Sequence, residues 1–190
     1  MKKIVILVSG SGSNLQRIID TCQSGEIQNA KVSLVVADRE CYGLVRAAKH
    51  HIKSELIPKG KNFSSELAQI IPEDTDLIVL AGFLSILKPE FCEQWKGKII
   101  NIHPALLPKF GGKGMWGMHV HHAVIEAKEK ESGATVHYVT SGIDEGEIIL
   151  QEGFAIDDTD TAESIAEKIH LVEFEIFPKA INKILNSHAI

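Results

Sequence analysis

Cysteine is scarce in this sequence, with three residues among 190 and no C-x-x-C pair. Cys22, Cys41 and Cys92 are odd in number and widely spaced, which does not suit a disulfide framework. They also lack the paired spacing of a zinc ribbon. We therefore expect three reduced cysteines that pack as small apolar residues.

Long apolar runs and an excess of positive charge are also missing. No stretch approaches the roughly 20 apolar residues that a membrane span needs. The run Ile4–Val8 ends in a glycine turn without a small-residue cleavage site, which disfavours a signal peptide. A net charge of −5 and a pI near 6.0 oppose a general nucleic-acid binder. We expect a cytoplasmic protein with small-molecule partners, no nucleic acid and no membrane. The sequence is compatible with a homodimer.

Buried-strand patterns alternate with helical patterns along most of the chain. This alternation predicts an α/β fold with a Rossmann-like, mostly parallel twisted sheet, helices on both faces and antiparallel strands in the C-terminal part. The length suits one domain, residues 1–190. The predicted strands are Lys3–Val8, Val32–Ala37, Ile52–Pro58, Leu77–Ala81, Ile99–His103, Thr135–Val139 and Ile148–Ile156. The predicted helices are Asn14–Cys22, Gly43–His51, Ser64–Ile71, His119–Lys130 and Thr161–Asn186. A threonine cap opens the last helix, and Pro178 is expected to bend or interrupt it.

A glycine-rich turn, Ser9–Asn14, joins the first predicted strand to the first predicted helix. Glycines permit close backbone approach, and free amides at a helix N-terminus attract phosphate. The dinucleotide fingerprint G-x-G-x-x-G would need glycine where this chain has Leu15, which favours a single phosphate over a dinucleotide. The alternative is an ordinary turn with a Ser or Asn helix cap.

Two polar side chains lie near the end of the predicted strand Ile99–His103. Asn101 and His103 are two residues apart, so both project from one face of the sheet. Parallel α/β sheets bind their ligands at this edge. A carboxamide and an imidazole can both donate to an oxygen that becomes negative during acyl transfer. A histidine that merely completes a turn is an equally compatible interpretation.

Asp144 lies in a glycine-bounded loop, where an acid is usually a turn residue. That interpretation holds unless the fold places Asp144 beside His103. There the carboxylate would favour the imidazolium and could accept a proton.

Three histidines, His119, His121 and His122, lie on a predicted helix. His119 and His122 are one turn apart and could ligate a metal, but no further ligand stands at the required spacing. A role near substrate, or solvent exposure, is favoured over a metal. Other features have ordinary structural interpretations. These are core packing for Phe83, Leu84, Ile86 and Leu87, solvated charges for Lys109 and Lys113, a surface carboxylate for Glu173 and a satisfied strand residue for His137.

Several segments together resemble the phosphoribosylglycinamide formyltransferases of the folate-dependent formyltransferase superfamily. The matching segments are Ser9–Leu15, Leu80–Phe83, Asn101–Pro108, Gly133–Val139, Asp144–Gly146 and Ile149–Gln151. The resemblance covers nearly the whole chain. It implies transfer of the formyl group of 10-formyltetrahydrofolate, the co-substrate, to the amine of glycinamide ribonucleotide, a step of de novo purine (IMP) biosynthesis. It implies no metal.

The resemblance also implies roles for individual residues. Gly12, Ser13 and Asn14 match contacts to the ribose phosphate, and Glu173 matches a carboxylate that holds the sugar hydroxyls. Asn101, His103 and Asp144 match the catalytic trio, in which Asp144 raises the pKa of His103. The folate-binding residues implied are Leu84, Ser85, Ile86, Leu87 and Asn101.

The chain departs from its relatives at three places. Ser85 stands where an arginine is common, Lys59 or Lys61 could replace another arginine, and the loop 111–117 is longer than in many relatives. Three rivals remain. A formyltetrahydrofolate hydrolase would carry an additional N-terminal domain, and a tRNA-directed formyltransferase an additional C-terminal domain. A nucleotide-binding module without catalytic activity is the third.

Overall fold

The computed structural model describes residues 1–186, which form a seven-stranded sheet in the order β3-β2-β1-β4-β5-β6-β7. The strands are β1 (Lys2–Val8), β2 (Ala30–Ala37), β3 (Ser54–Leu56), β4 (Leu77–Leu80), β5 (Ile99–His103), β6 (Glu131–Tyr138) and β7 (Ile148–Ala155). The helices are α1 (Ser13–Ser24), α2 (Tyr42–Lys49), α3 (Phe63–Ile70), α4 (Pro89–Gln94), α5 (Met118–Glu126) and α6 (Ala162–Asn186).

The first five strands of the chain pair in parallel, whereas β6 and β7 are antiparallel to their neighbours. This confirms the predicted mixed α/β sheet. The strand order reverses at β1, since β2 lies on one side of it and β4 on the other. Such a reversal opens a crevice at the carboxyl ends of the strands, where open α/β sheets bind ligands.

Two apolar clusters cover the two faces of the sheet. Side chains alternate along β1, with Ile4 and Ile6 in the cluster under α1, α5 and α6, and Val5 and Leu7 in the cluster under α3 and α4. This explains why the β1 sequence is continuously apolar, as expected for a strand buried on both faces. None of the helices within residues 1–186 is long and apolar enough to cross a membrane.

Several elements differ from the sequence prediction, among them β3 and α5, which are shorter than predicted. The short helix α4 was not predicted, although Pro89 at its start is a typical first helical residue. Strand β6 begins at Glu131 rather than Thr135. It continues through Gly133, where a Cβ would lie 2.1 Å from the Glu152 carbonyl oxygen, so glycine permits the close approach of β7.

Helix α6 runs through Pro178 without interruption, so of the bend or interruption expected at this proline, the interruption is wrong. Its neighbours Phe177 and Ile181 are buried in the core, and this burial outweighs the lost backbone hydrogen bond. The expected cap is present. The Ser164 amide donates to Thr161 Oγ1 at 3.3 Å, and the Thr161 amide donates to Ser164 Oγ at 3.0 Å.

Candidate active site

The carboxyl ends of β1 and β4 are tied together at the reversal of strand order. The Ser9 amide donates to the Gly82 carbonyl at 3.1 Å, and the Leu84 amide donates to Ser9 Oγ at 2.8 Å. The glycine turn, the segment after β4 and the end of β5 therefore meet at one edge of the sheet. The residues proposed for phosphate, for folate and, at the end of β5, for catalysis come from this edge, whereas Glu173 and Asp144 come from elsewhere in the chain.

Asp144 is brought to this edge by the antiparallel pair β6–β7, whose connection contains it. Its Oδ2 lies 3.5 Å from His103 Nδ1, and its Oδ1 lies 3.5 Å from His137 Nε2. Asn101 Nδ2 lies 3.2 Å from His137 Nε2. The Asp144 carboxylate thus lies beside the His103 imidazole, and His137 links it to the Asn101 carboxamide.

Both ring nitrogens of His103 face acceptors. Nε2 lies 2.7 Å from the Phe110 carbonyl oxygen, and Nδ1 faces Asp144. A carbonyl can only accept, so Nε2 carries a proton, and a second proton on Nδ1 would point at the carboxylate. Burial lowers the pKa of His103, while Asp144 and the Phe110 carbonyl act to raise it; the net shift is downward. Asp144 acts to raise the pKa of His103, as the family resemblance implied, but desolvation disfavours the cation more than Asp144 favours it.

Asp144 adopts a left-handed backbone conformation, with φ at 57°. The Gly112 amide donates to its Oδ2 at 2.9 Å, and a Cβ on Gly111 would lie 3.3 Å from its Cβ. Burial alone would raise the pKa of Asp144, but His137, His103 and the Gly112 amide outweigh it and hold this pKa below its usual value. Asp144 is therefore an anion in contact with two imidazoles.

The glycine turn presents the N-terminus of α1. Gly12 is the N-cap residue, with φ at 69°, and no side chain within residues 1–186 caps the helix. The capped-turn interpretation is therefore wrong. A Cβ on Gly12 would lie 2.8 Å from Gly43 Cα, so the turn is packed directly against α2. The first-turn amides of a helix have no intrahelical partner, and here they can receive an anion.

Glu173 is buried, which overturns its interpretation as a surface carboxylate. Asn14 Nδ2 donates to Glu173 Oε2 at 3.0 Å, and His170 Nδ1 lies 3.3 Å from the same oxygen. His170 Nε2 also lies 2.9 Å from Ser13 Oγ. Helix α6 thereby places a carboxylate directly beside the open end of α1.

The segment 84–87 follows β4. Leu84 and Ile86 are exposed, Leu87 is buried, and the Ser85 hydroxyl donates to Asp38 Oδ2 at 2.6 Å. The packing interpretation is correct for Leu87 and wrong for Leu84 and Ile86. Two uncovered apolar side chains beside the crevice offer a surface for a flat apolar ligand.

Known proteins resemble this chain in sequence and in structure. Residues 2–181 match the family described as Formyl transferase. The chain belongs to that family. A phosphoribosylglycinamide formyltransferase from Haemophilus influenzae is 41% identical over 189 residues, which are 95% of this chain and 86% of the relative. A trifunctional purine biosynthetic protein adenosine-3 from Drosophila melanogaster is 40% identical across 100% of this chain, which spans 14% of that protein.

Solved structures of formyl transferases show the same fold. Glycinamide ribonucleotide transformylase 1 from Symbiobacterium toebii superimposes with a TM-score of 0.90 at 34% identity, covering 98% of this chain and 89% of the other. A formyltetrahydrofolate deformylase from Pseudomonas syringae is 24% identical with a TM-score of 0.87, covering 98% of this chain and 62% of the other, and shows the fold alone. The family resemblance predicted from the sequence is confirmed.

The site of this formyl transferase contains a residue that sequence reasoning missed. His137 is buried, accepts or donates at both ring nitrogens, and touches Asn101 and Asp144. The predicted satisfied ring is correct: Nδ1 faces the Tyr138 carbonyl oxygen at 2.9 Å, and Nε2 faces Asn101 and Asp144 of the site. The signal lies in strand register, since Asn101 of β5 pairs directly with His137 of β6.

The remaining candidates lie around this centre. Among the described residues, no group of three or more His, Cys, Asp or Glu could hold a metal ion. His119 is exposed and its ring lies against Trp116, His122 is exposed, and His121 is buried. The four lysines singled out in the sequence are all exposed, and Lys109 pairs with Glu129; they are Lys59, Lys61, Lys109 and Lys113. All three cysteines are free.

Proposed function

We propose that this formyl transferase moves the formyl group of 10-formyltetrahydrofolate to the amine of glycinamide ribonucleotide, a step of purine biosynthesis. One observation carries the proposal: Asp144, from a distant loop, lies 3.5 Å from His103 at the strand end that also holds Asn101. The relatives named phosphoribosylglycinamide formyltransferase and glycinamide ribonucleotide transformylase support the substrate assignment.

The reacting centre consists of Asn101, His103 and Asp144. The substrate amine attacks the formyl carbon, and the carbonyl oxygen becomes negative as the new C–N bond forms. Asn101 Nδ2 has a second hydrogen beyond the one directed at His137, and this hydrogen can donate to the oxyanion. The C–N bond to the folate nitrogen then breaks, and the proton lost by the amine passes to that nitrogen through His103 or a water near Asp144.

His103 donates through Nδ1 in this scheme. Its Nε2 is held at 2.7 Å by the Phe110 carbonyl, whereas the contact of Nδ1 with Asp144 is longer, at 3.5 Å. A proton on Nδ1 is therefore held less closely than the proton on Nε2, and an oxyanion that lies beside Asp144 can receive it. Since Nε2 keeps its own proton, the donor is the imidazolium, and the anionic Asp144 stabilises it.

The two substrates approach from different sides. The open α1 N-terminus with Gly12, Ser13 and Asn14 receives the phosphate, and Glu173 accepts hydrogen bonds from the sugar hydroxyls. The folate ring lies against the segment 84–87, with Leu84 and Ile86 as apolar contacts and backbone groups for its polar edge. Asn101 touches the folate as well, because it must reach the formyl oxygen.

Hydrolysis of the formyl-folate is the competing function, since the deformylase shares this fold. The open phosphate-binding end beside Glu173 favours transfer, because hydrolysis needs no phosphorylated acceptor. A spectrophotometric assay of folate release separates the two, with purified chain, 10-formyltetrahydrofolate, and glycinamide ribonucleotide present or omitted. Release that requires glycinamide ribonucleotide supports transfer. Release at an equal rate without it supports hydrolysis, and bound nucleotide with no release in either case supports a module without catalytic activity.

We further propose a cytoplasmic protein with a single formyltransferase domain over residues 1–190. Three free cysteines suit a reducing compartment. A relative from Arabidopsis thaliana is named as chloroplastic, so localisation differs among family members. The reaction needs neither nucleic acid nor membrane. Light scattering coupled to gel filtration distinguishes a monomer from a homodimer.

A further inference from the structure

Arg46 is a cation of α2 to which the reaction described above assigns no task. Its Nε donates to the Ser11 carbonyl of the glycine turn at 2.8 Å. Its Nη1 donates to Gln16 Oε1 of α1 at 3.3 Å, and its guanidinium carbon lies over the Tyr42 ring, 4.9 Å from the ring centre. The guanidinium is therefore held in one position, directly against the turn that is proposed to bind phosphate.

The glycine turn is shaped to receive this arginine. A Cβ on Gly12 would lie 3.3 Å from Arg46 Cδ, so the arginine stem lies against a residue without a side chain. The Gly43 amide of α2 also donates to the Gly10 carbonyl at 3.1 Å. Helix α2 thus holds the turn through two successive carbonyls, those of Gly10 and Ser11.

The direction of the Ser11 carbonyl determines the direction of the next amide. The Ser11–Gly12 peptide is trans, and in a trans peptide the C=O and N–H groups point in opposite directions. Because the carbonyl points at Arg46, the Gly12 amide points away from this arginine. That amide has no hydrogen-bond partner within residues 1–186. A cation on the carbonyl also polarises the peptide, which strengthens its N–H group as a donor.

An unpaired polar atom at the same helix end indicates a ligand. Asn14 is 7% exposed, and its Nδ2 donates to Glu173. Its Oδ1 has no partner in the part of the chain that the structure describes. Native structures rarely leave a buried polar atom unpaired. A phosphorylated sugar satisfies both groups, since its hydroxyls can donate to the Asn14 oxygen and its phosphate can accept from the Gly12 amide.

We propose that Arg46 is a positioning residue for the phosphate of the acceptor. It holds the Ser11–Gly12 peptide so that the Gly12 amide donates to the phosphate, and its charge strengthens that hydrogen bond. The inference rests on the proposed function for the identity of the acceptor. Arg46 acts through the peptide, so its effect should be confined to ligands that carry a phosphate.

One substitution removes this support, and a neighbouring lysine provides the matched control. Arg46→Met keeps an apolar stem and removes the donors and the charge. It should lower kcat/KM for glycinamide ribonucleotide on the order of ten-fold, because a charge-assisted hydrogen bond behind the phosphate is lost. Lys49→Met removes a cation that also lies over the Tyr42 ring, on the same helix, and should behave as the unsubstituted chain. The KM for 10-formyltetrahydrofolate should not change in either variant.

An acceptor without phosphate separates this role from general support of the fold. Glycinamide riboside should react equally well with Arg46→Met and with the unsubstituted chain. An equal loss of kcat/KM for the riboside and the ribonucleotide would assign Arg46 to the whole site and overturn the proposal. An equal loss in Lys49→Met would assign the effect to the charge of α2 rather than to the peptide, and would overturn it as well.

Calorimetric titration with ribose 5-phosphate tests the same contact without catalysis. The affinity should fall on the order of ten-fold in Arg46→Met and remain unchanged in Lys49→Met. An unchanged affinity in Arg46→Met defeats the inference alone if the unsubstituted chain transfers formyl. If the unsubstituted chain binds ribose 5-phosphate but transfers no formyl, the proposed function fails and the role of Arg46 is judged on this affinity. An unsubstituted chain that does not bind ribose 5-phosphate overturns the inference.

Discussion

At the scale of single residues, the charge of His103 is the property on which formyl transfer depends most. Burial favours the neutral ring, whereas Asp144 and the Phe110 carbonyl favour the cation. The ring faces an acceptor at each nitrogen, so the cation satisfies both contacts and the neutral ring satisfies one. The site is therefore built for an imidazolium whose formation costs free energy before substrate binds. Among the groups that favour the His103 cation, Asp144 has the largest effect and offsets part of the cost of burial.

Replacement of this carboxylate tests its role directly. Asp144→Asn removes the charge that raises the pKa of His103, so this pKa should fall further below its ordinary value. With less imidazolium at His103, the oxyanion loses one of its hydrogen-bond donors. The loss of such a donor typically costs on the order of 10²–10³ in rate, so kcat should fall by that factor. NMR titration of the His103 ring and steady-state kinetics measure the two effects.

The neighbouring exposed acid gives the control for this variant. Glu145→Gln removes one negative charge from the same loop without touching either imidazole, and it should leave kcat and the His103 pKa unchanged. Asp144→Asn with near-normal turnover, or with an unshifted His103, would contradict the assignment. An equal loss in both variants would point to the loop rather than to the carboxylate.

At the scale of secondary-structure elements, the glycine turn before α1 determines how the helix presents its amides. Gly12 has a left-handed φ of 69°, and a Cβ added to it would lie only 2.8 Å from Gly43 Cα. Any other residue at position 12 would be strained by this φ, and its Cβ would force α1 to move away from α2. Gly10 has neither condition, since nothing lies within 4 Å of its added Cβ and its φ is not left-handed.

The two glycines provide a matched pair of substitutions. Gly12→Ala should displace the first turn of α1 and raise KM for glycinamide ribonucleotide at least ten-fold, because several phosphate hydrogen bonds depend on its geometry. The KM for 10-formyltetrahydrofolate should change little, since the proposed folate segment follows β4. Gly10→Ala should keep both constants. Steady-state kinetics with each substrate varied in turn gives the comparison, and equal effects of the two alanines would contradict it.

The elements also show which parts of the site a sequence can predict. Asn101 and His103 were predictable because their relation is local: two residues apart, near the end of a buried strand. Their partner His137 depends on the β5–β6 register, which pairs it with Asn101 and which no local pattern encodes. Glu173 looked like a surface residue because its burial depends on how α6 packs on α1. Asp144 was recognised by family resemblance, whereas its position beside His103 required the β6–β7 connection to fold back.

At the scale of the whole molecule, the sheet topology and the stability are linked through buried histidines. The fold class was predictable because alternating strands and helices allow few topologies. The same fold buries His103 and His121 between the sheet edge, α5 and α6, and burial lowers the pKa of both from 6.5. Because the unfolded chain binds protons more readily at these two groups, acidification favours unfolding.

The pH dependence of unfolding follows from this difference. The contribution of both histidines to stability is fully present above pH 6.5, the ordinary histidine value, and is lost as the pH falls through their lowered values in the folded chain. His170 acts in the opposite direction, because Glu173 raises its pKa, but its side chain is half exposed and contributes less. The lowered carboxyl pKa values, such as that of Asp144, matter only in stronger acid. Between pH 7.5 and pH 5.5 the free energy of unfolding should therefore decrease.

One substitution assigns part of that decrease to a single ring. His121→Gln removes a group that binds a proton more readily in the unfolded chain than in the folded chain, so the free energy of unfolding of this variant should change less between pH 7.5 and pH 5.5 than that of the unsubstituted chain. His122→Asn removes an exposed histidine and should keep the original pH dependence. Urea unfolding at the two pH values measures the difference. Parallel pH profiles for all three proteins would show that His121 is not held neutral by burial. Other groups would then account for the pH dependence of the free energy of unfolding.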